Sequence, residues 1–394
     1  MQSDLKVGTI HAIRIEDFAF GGDGVGRIAG RAVFVPFTIP GEEVEVEISV
    51  VKDRFARGHV RRVLAASADR TTPVCPHFAR CAGCQYQHVT YEAQLRAKEA
   101  QVRALLQRIG GVSDPPVHAI VPSPQPWQYR SRITLHGPGK PAFVGLDHSD
   151  RIELDACPIA QEELNRALQD WNEAHPDGLP AERDLSIRMD ADDMAYCDTG
   201  EEKRWLNQTL LTHRFKVPQR SFFQVNQSVA DQLAEWLLAR IQAAGCHTLI
   251  DAYAGVGVFG LLAAEHVQRV IAIEADEDAV RAGRKNAEKL GVKQIDWLAA
   301  RVERGLQDVL ASVEGRDALC LLDPPRIGCQ PEVLKQLIAH PVHTILYVSC
   351  SPDRLARDIK RLTAADYRLV EVQPFDMFPQ TAHIEAVAVL QHGG

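Results

Sequence analysis

The stretch His247-Thr248-Leu249-Ile250-Asp251-Ala252-Tyr253-Ala254-Gly255-Val256-Gly257-Val258-Phe259-Gly260 decides the fold. A short apolar run ends in an acid, passes a turn with two glycines and enters a helix, and the glycines let backbone and ligand approach closely. About 20 residues on, the strand Val270-Ile271-Ala272-Ile273 ends in Glu274, an acid placed to accept hydrogen bonds from both hydroxyls of a ribose. The turn has no phosphate-cradling lysine. It favours a nucleoside ligand without pyrophosphate, such as S-adenosylmethionine, over a dinucleotide.

Downstream of that turn, Ala318-Leu319-Cys320-Leu321-Leu322 ends in Asp323-Pro324-Pro325-Arg326. Two prolines stiffen the loop and hold Asp323 at the sheet edge, where a carboxylate can contact a base or the donor. Thr344-Ile345-Leu346-Tyr347-Val348 is apolar enough for a buried parallel strand and places Cys350 at its carboxyl edge, where open α/β sheets bind ligands. Ser351 as N-cap and Pro352 in the first turn start a helix, whose N-terminus is expected to lower the pKa of the Cys350 thiol. Taken alone, Cys350 reads first as a buried structural cysteine, the usual fate of this residue. Within Phe375 through Leu390, Glu385 is the one acid at the start of the apolar strand, and a Cys350–Glu385 pair would join nucleophile to base. This α/β unit is expected over residues 216–394.

Upstream, residues 1–66 alternate short strands with glycine turns, about five in all, the pattern of a small oligonucleotide-binding type barrel. Its basic segment Lys52-Asp53-Arg54-Phe55-Ala56-Arg57, followed by Arg61-Arg62, pairs charge with an aromatic face, as single-stranded RNA binding requires; a solvated hairpin is the competing reading. Residues 67–215 open with Cys75-x5-Cys81-x2-Cys84, and Cys157 lies far downstream. Four such thiolates can complete a tetrahedral site for zinc or for an iron–sulfur cluster, and spacing does not choose between them. Tyr91 to Ile109 reads as a helix stopped by Gly110-Gly111, and Tyr129-Arg130-Ser131-Arg132-Ile133-Thr134-Leu135 as a strand with two arginines on one face.

A chain of 394 residues suggests two or three domains. The net charge of −8 argues against a generally sticky nucleic-acid binder and leaves room for a local basic surface. Met1-Gln2-Ser3-Asp4-Leu5-Lys6 lacks the apolar core of a signal peptide, and no apolar run is long enough to cross a bilayer. A cytoplasmic protein without membrane attachment is expected, one in which the nine cysteines form no disulfide framework and some of them serve metal binding or catalysis.

Taken together, Cys75-x5-Cys81-x2-Cys84 with Cys157, Phe222-Phe223-Gln224-Val225-Asn226, Asp251 to Gly257, Asp323-Pro324-Pro325-Arg326, Ser349-Cys350-Ser351-Pro352 and Phe375 through Glu385 resemble the RNA uracil-C5 methyltransferase family across essentially the whole chain. The resemblance implies an α/β fold: a Rossmann-like S-adenosylmethionine-dependent methyltransferase domain with an N-terminal barrel of the TRAM kind and a central iron–sulfur domain. It implies Cys350 as nucleophile and Glu385 as proton acceptor. It further implies that Gln224, Tyr253, Glu274 and Asp323 bind the donor and that Cys75, Cys81, Cys84 and Cys157 hold a [4Fe-4S] cluster. Presence of both barrel and cysteine motif is similar to a 23S rRNA-directed bacterial branch, with tRNA as the alternative RNA, and a monomer is expected. Val258, Arg301 and Ser351 depart from the family pattern. A cytosine-C5 enzyme would carry a cysteine directly after the Asp323 prolines, where this chain has Arg326. A non-enzymatic iron–sulfur RNA-binding or redox-sensing protein would not need Cys350 and Glu385 intact.

Overall fold

The computed structural model describes residues 5–147, 149–200 and 203–393. Met1–Asp4, part of the segment on which the absence of a signal peptide was read, lies outside the described residues. The first five strands, β1 (Ile10–Phe18), β2 (Gly24–Ile28), β3 (Arg31–Val35), β4 (Glu43–Val51) and β5 (Phe55–Ala65), close a barrel in the order β1-β2-β3-β5-β4. In β4 the alternation of valine and glutamate puts Val44, Val46 and Ile48 inside with Ile13, Ile15, Val33 and Val35, as the two-residue period of a strand requires.

Helix α1 (Tyr91–Arg108) follows, then a sheet in the order β10-β9-β6-β7-β8, built from β6 (Arg132–His136), β7 (Ala142–Val144), β8 (Arg151–Glu153), β9 (Asp184–Met189) and β10 (Ala195–Asp198). Helix α2 (Glu162–Ala174) covers it with Leu164, Leu168 and Trp171. The strand expected from Tyr129 begins only at Arg132, because Arg130 leaves the ladder and bridges instead to Asn226 and Ala160. The hairpin of β11 (Trp205–Leu210) and β12 (His213–Pro218) leads to α3 (Gln227–Ala244).

The remainder is a doubly wound unit. Its strands are β13 (Thr248–Ala252), β14 (Arg269–Glu274), β15 (Ile295–Ala299), β16 (Ala318–Leu322), β17 (Thr344–Ser349), β18 (Tyr367–Phe375) and β19 (Glu385–His392), ordered β15-β14-β13-β16-β17-β19-β18. The first five are parallel, while β19 runs antiparallel to β17 and to β18. Helices α4 (Val258–Ala263), α5 (Glu277–Leu290), α6 (Val302–Ala311), α7 (Pro331–Ala339) and α8 (Pro352–Thr363) complete it. Every residue of β16 and β17 is buried, which explains their unbroken apolar sequences: both faces are covered by helices. Strand order reverses direction between β13 and β16, so the crevice at their carboxyl ends is the expected ligand position. Among the described residues no helix is long and apolar enough to cross a membrane.

Candidate active site

The glycine turn after β13 is shaped by close packing. Gly257 sits at φ 76°, and a Cβ there would lie 2.5 Å from the Trp297 ring, which also abuts Gly283. Gly255, at φ 56°, faces open space. Glu274 ends β14 and takes the Gly255 N–H on Oε2 at 2.8 Å and the Asp276 N–H on Oε1 at 2.7 Å. One carboxylate therefore organises both the glycine turn and the start of α5 while keeping lone pairs for a ligand. Beneath it, Asp251 is buried, accepts the Gly260 N–H at 3.0 Å, and is pushed up to about 7 by that burial. Tyr253 has φ 67°, a strained position for a side chain. Its buried hydroxyl faces Cys329 and has no oxygen or nitrogen partner among the described residues.

Gln224 is half-buried on the segment between β12 and α3, between the buried Phe223 and a pinned Val225 whose carbonyl accepts the Ser131 N–H at 2.8 Å. Arg188, absent from the sequence reading, fixes the base of this segment: its buried guanidinium donates to the carbonyls of Gln219 (3.1 Å) and Ser221 (2.8 Å). Asn226 donates to Ser123 Oγ at 3.1 Å and to the Met377 carbonyl at 3.2 Å, tying the same segment to the chain that precedes β19.

Cys350 and Glu385 meet through sheet register. The β17–β19 ladder ends at the Ser349–Ala386 pair, so the next residue along β17 is Cys350 and its counterpart at the start of β19 is Glu385. Burial pushes the Cys350 thiol up to about 11; the Glu385 carboxylate and Asp323 push the same way, and Arg326 opposes them. The expected lowering by the α8 N-terminus is overturned, because desolvation and a facing acid outweigh a helix end. Ser351 does occupy the N-cap position, but its hydroxyl does not cap the helix and bonds Asp353 Oδ1 at 3.0 Å. Glu385 is 3% exposed and its pKa is raised well above the carboxylate range by burial, then by Asp323, with Arg326 again opposing. Asp323 is pushed up to about 7 by burial and by Asp251. The structure thus brings Cys350, Glu385, Asp323 and Arg326 to one point at the carboxyl end of the sheet. Arg326 was visible in the sequence only as the residue after two prolines.

The loop carrying Asp323 and Arg326 is locked from below. Gly328 sits at φ 80°, with space for a Cβ already taken by Arg357 and Asp358. The Cys329 N–H donates to Tyr347 Oη and to Asp358 Oδ2, both at 3.1 Å.

The tRNA (Uracil-5-)-methyltransferase family matches residues 201–392, and the TRAM domain matches residues 4–60. An uncharacterized RNA methyltransferase of Gloeobacter violaceus is 32% identical over 98% of this chain and 97% of its own length. The chain belongs to the RNA uracil-5 methyltransferase family. A similar RNA methyltransferase from Synechocystis is 31% identical over 98% of this chain and 96% of its own. The fold of this uracil-5 methyltransferase is similar to that of the Pyrococcus abyssi tRNA (uracil-54, C5)-methyltransferase solved with S-adenosyl-L-homocysteine, with a TM-score of 0.72 at 24% identity over 96% of this chain and 99% of that one. It is an S-adenosylmethionine-dependent RNA methyltransferase with an N-terminal barrel of the TRAM type.

The cysteines of the central region converge: Cys84 feels the charge of Cys157, Cys81 and Cys75, and burial pushes it up to about 12. Phe78, Trp127, Tyr129 and Ile159 form an apolar wall around Cys84 and Cys157. Among the described residues, no group of three or more His, Cys, Asp or Glu side chains is arranged to hold a metal ion. On the barrel, much of the expected basic stretch is paired within its own face: Arg57 with Asp23 at 2.9 Å, Arg61 with Glu47 at 2.8 Å and Arg62 with Glu45 at 3.4 Å. Phe34, Phe55 and Arg57 form a small stack beside these pairs.

Proposed function

We propose that this enzyme methylates C5 of a uridine in 23S rRNA by covalent catalysis, with Cys350 as nucleophile and Glu385 as proton acceptor. The observation that carries the reading is the register that sets these two residues opposite each other, with Arg326 beside them to favour the thiolate. Uracil C5 is a poor nucleophile. Addition of the Cys350 thiolate to C6 places negative charge on the O4–C4–C5 enolate, and C5 then takes the methyl group. S-adenosylmethionine supplies that electrophilic methyl and leaves as the thioether. Glu385 removes the proton from C5, the C5=C6 double bond re-forms, and the C6–S bond breaks to return Cys350. For this step Glu385 must be ionised, and the positive charge of Arg326 is the group in the site that favours ionisation. The target base has to leave its stack to reach a thiol at the sheet edge.

We assign donor binding to Gln224, Tyr253, Glu274 and Asp323, with Asp323 close enough to the reaction centre to contact uracil as well. The glycine turn and the half-buried Glu274 fit an adenosine, and Tyr253 would contribute its ring and backbone, its hydroxyl being turned towards Cys329. Cys75, Cys81, Cys84 and Cys157 are the ligands we assign to a [4Fe-4S] cluster. Thiols that approach one another beside an apolar wall suit iron–sulfur chemistry, and iron charge would hold as a thiolate the Cys84 side chain that burial otherwise keeps protonated. No step of methyl transfer passes through it. The barrel, with its Phe34–Phe55–Arg57 stack, is assigned to RNA contact. A monomer acting in the cytoplasm suits these parts.

Nucleoside mapping of 23S rRNA and tRNA from cells with and without the gene tests the target. Loss of 5-methyluridine at an rRNA position, restored by purified enzyme and S-adenosylmethionine, supports the assignment. Unchanged rRNA with altered tRNA moves the enzyme to tRNA, the substrate named for the Pyrococcus abyssi protein.

A further inference from the structure

Five residues before Glu385, Gln380 is 3% exposed and adopts φ 69°, a left-handed conformation that a non-glycine side chain holds only where its surroundings impose it. What imposes it comes from the far side of the chain. The Gln380 carbonyl accepts the backbone N–H groups of Gln85 (3.1 Å) and Tyr86 (2.9 Å), the two residues that follow Cys84. Its own N–H donates to Gln94 Oε1 at 3.0 Å, and Gln94 Nε2 donates back to Gln380 Oε1 at 2.9 Å, a closed pair formed with α1. The neighbours are held alike: the Pro379 carbonyl accepts from Tyr129 Oη at 3.0 Å, and the Ala382 N–H donates to Gln85 Oε1 at 3.0 Å. The turn entering β19 therefore hangs on the cysteine loop and one buried helix face, not on its own strand.

We infer that Gln380 is a positioning residue for the proton acceptor: the loop after Cys84, together with Gln94, clamps the 379–382 turn and so sets where the Glu385 carboxylate stands relative to C5 of the bound uracil. This rests on Glu385 being that acceptor. Whatever orders Cys84 orders the clamp, which gives the cysteine site a mechanical part in proton removal. A misplaced Glu385 leaves thiolate addition and methyl transfer intact and slows only the elimination step.

The test uses full-length Gln380→Ala and Gln94→Ala, with Glu385→Gln as the reference. Each is mixed with substrate RNA and S-adenosylmethionine, then assayed for kcat, KM and for protein–RNA complex surviving denaturant. The clamp predicts a fall in kcat of about 10- to 100-fold, smaller than the roughly 100- to 10,000-fold effect of losing a general base outright, with little change in RNA KM and accumulated adduct in both variants. If Gln380→Ala does not fold, Gln94→Ala decides, since α1 keeps its remaining anchors. Wild-type kcat, or lost activity without adduct while Glu385→Gln does trap one, overturns the clamp and leaves the catalytic assignment standing. Absence of adduct in Glu385→Gln itself removes the acceptor role, and the clamp with it.

Discussion

Cys350 and Glu385, 35 positions apart in the chain, stand one position beyond Ser349–Ala386, the last pair of the antiparallel β17–β19 ladder. The antiparallel direction of β19 puts its start, and Glu385 with it, beside Cys350 at the ligand crevice, where a further parallel strand would have put its carboxyl end. Cys350→Ala is expected to abolish methyl transfer while thermal unfolding and S-adenosylmethionine binding stay as in the parent. Calorimetric titration beside a tritium-release assay checks both.

The protonation state of the site gives a directional pH prediction. Burial, with Glu385 and Asp323, holds the Cys350 pKa near 11, so the reactive thiolate fraction grows as pH rises. kcat/KM should increase from pH 7 to 9, by up to about tenfold per pH step for a single required deprotonation. Arg326→Ala removes the opposing positive charge and should displace the profile to higher pH, most visibly as lost activity near pH 7. A flat profile in both proteins contradicts this picture.

Gly257 tests the donor turn without touching an ionisable group. Alanine there meets the Trp297 ring and must hold φ 76°, so either the turn or Trp297 moves. Gly257→Ala is expected to weaken S-adenosylmethionine binding at least about tenfold, equivalent to about 1.4 kcal/mol, with RNA binding retained. Equilibrium dialysis of labelled donor measures it.

Lys98 and Asp376 form a fully buried ion pair, 2.5 Å apart and both 0% exposed, with Lys98 also donating to the Phe378 carbonyl at 2.9 Å. Asp376 Oδ2 has no hydrogen-bond partner among the described residues, so the pair is not fully compensated. Lys98→Met should cost about 3–5 kcal/mol by stranding the acid, and Lys98→Met with Asp376→Leu should recover most of it. Chemical denaturation of the two variants distinguishes a stranded charge from lost packing, which the double variant would not repair.

The sequence was most legible where structure is local. The β13 turn, the buried runs of β16 and β17, the start of α8 and the valine–glutamate alternation of β4 each carry their period in consecutive residues. Residue chemistry also placed Cys350, Glu385 and Asp323 at strand ends. What stayed hidden depends on partners far away in the chain: the Gln94–Gln380 pair spans 286 residues, and Arg188 in β9 looks like an error in an apolar strand until the carbonyls of Gln219 and Ser221 surround it. The Cys350 pKa was misjudged for the same reason. A helix N-terminus can be read locally, whereas the burial and the facing Glu385 that dominate it cannot. In the barrel, composition showed the arginines but not the cross-strand glutamates that pair with them.

The most direct test of covalent catalysis is peptide mass mapping of Glu385→Gln after reaction with substrate RNA and S-adenosylmethionine, followed by nuclease and protease digestion. The account predicts a methylated dihydrouridine joined through C6 to the peptide containing Cys350. An adduct on another cysteine such as Cys329, or full turnover with no adduct on Cys350, would contradict it.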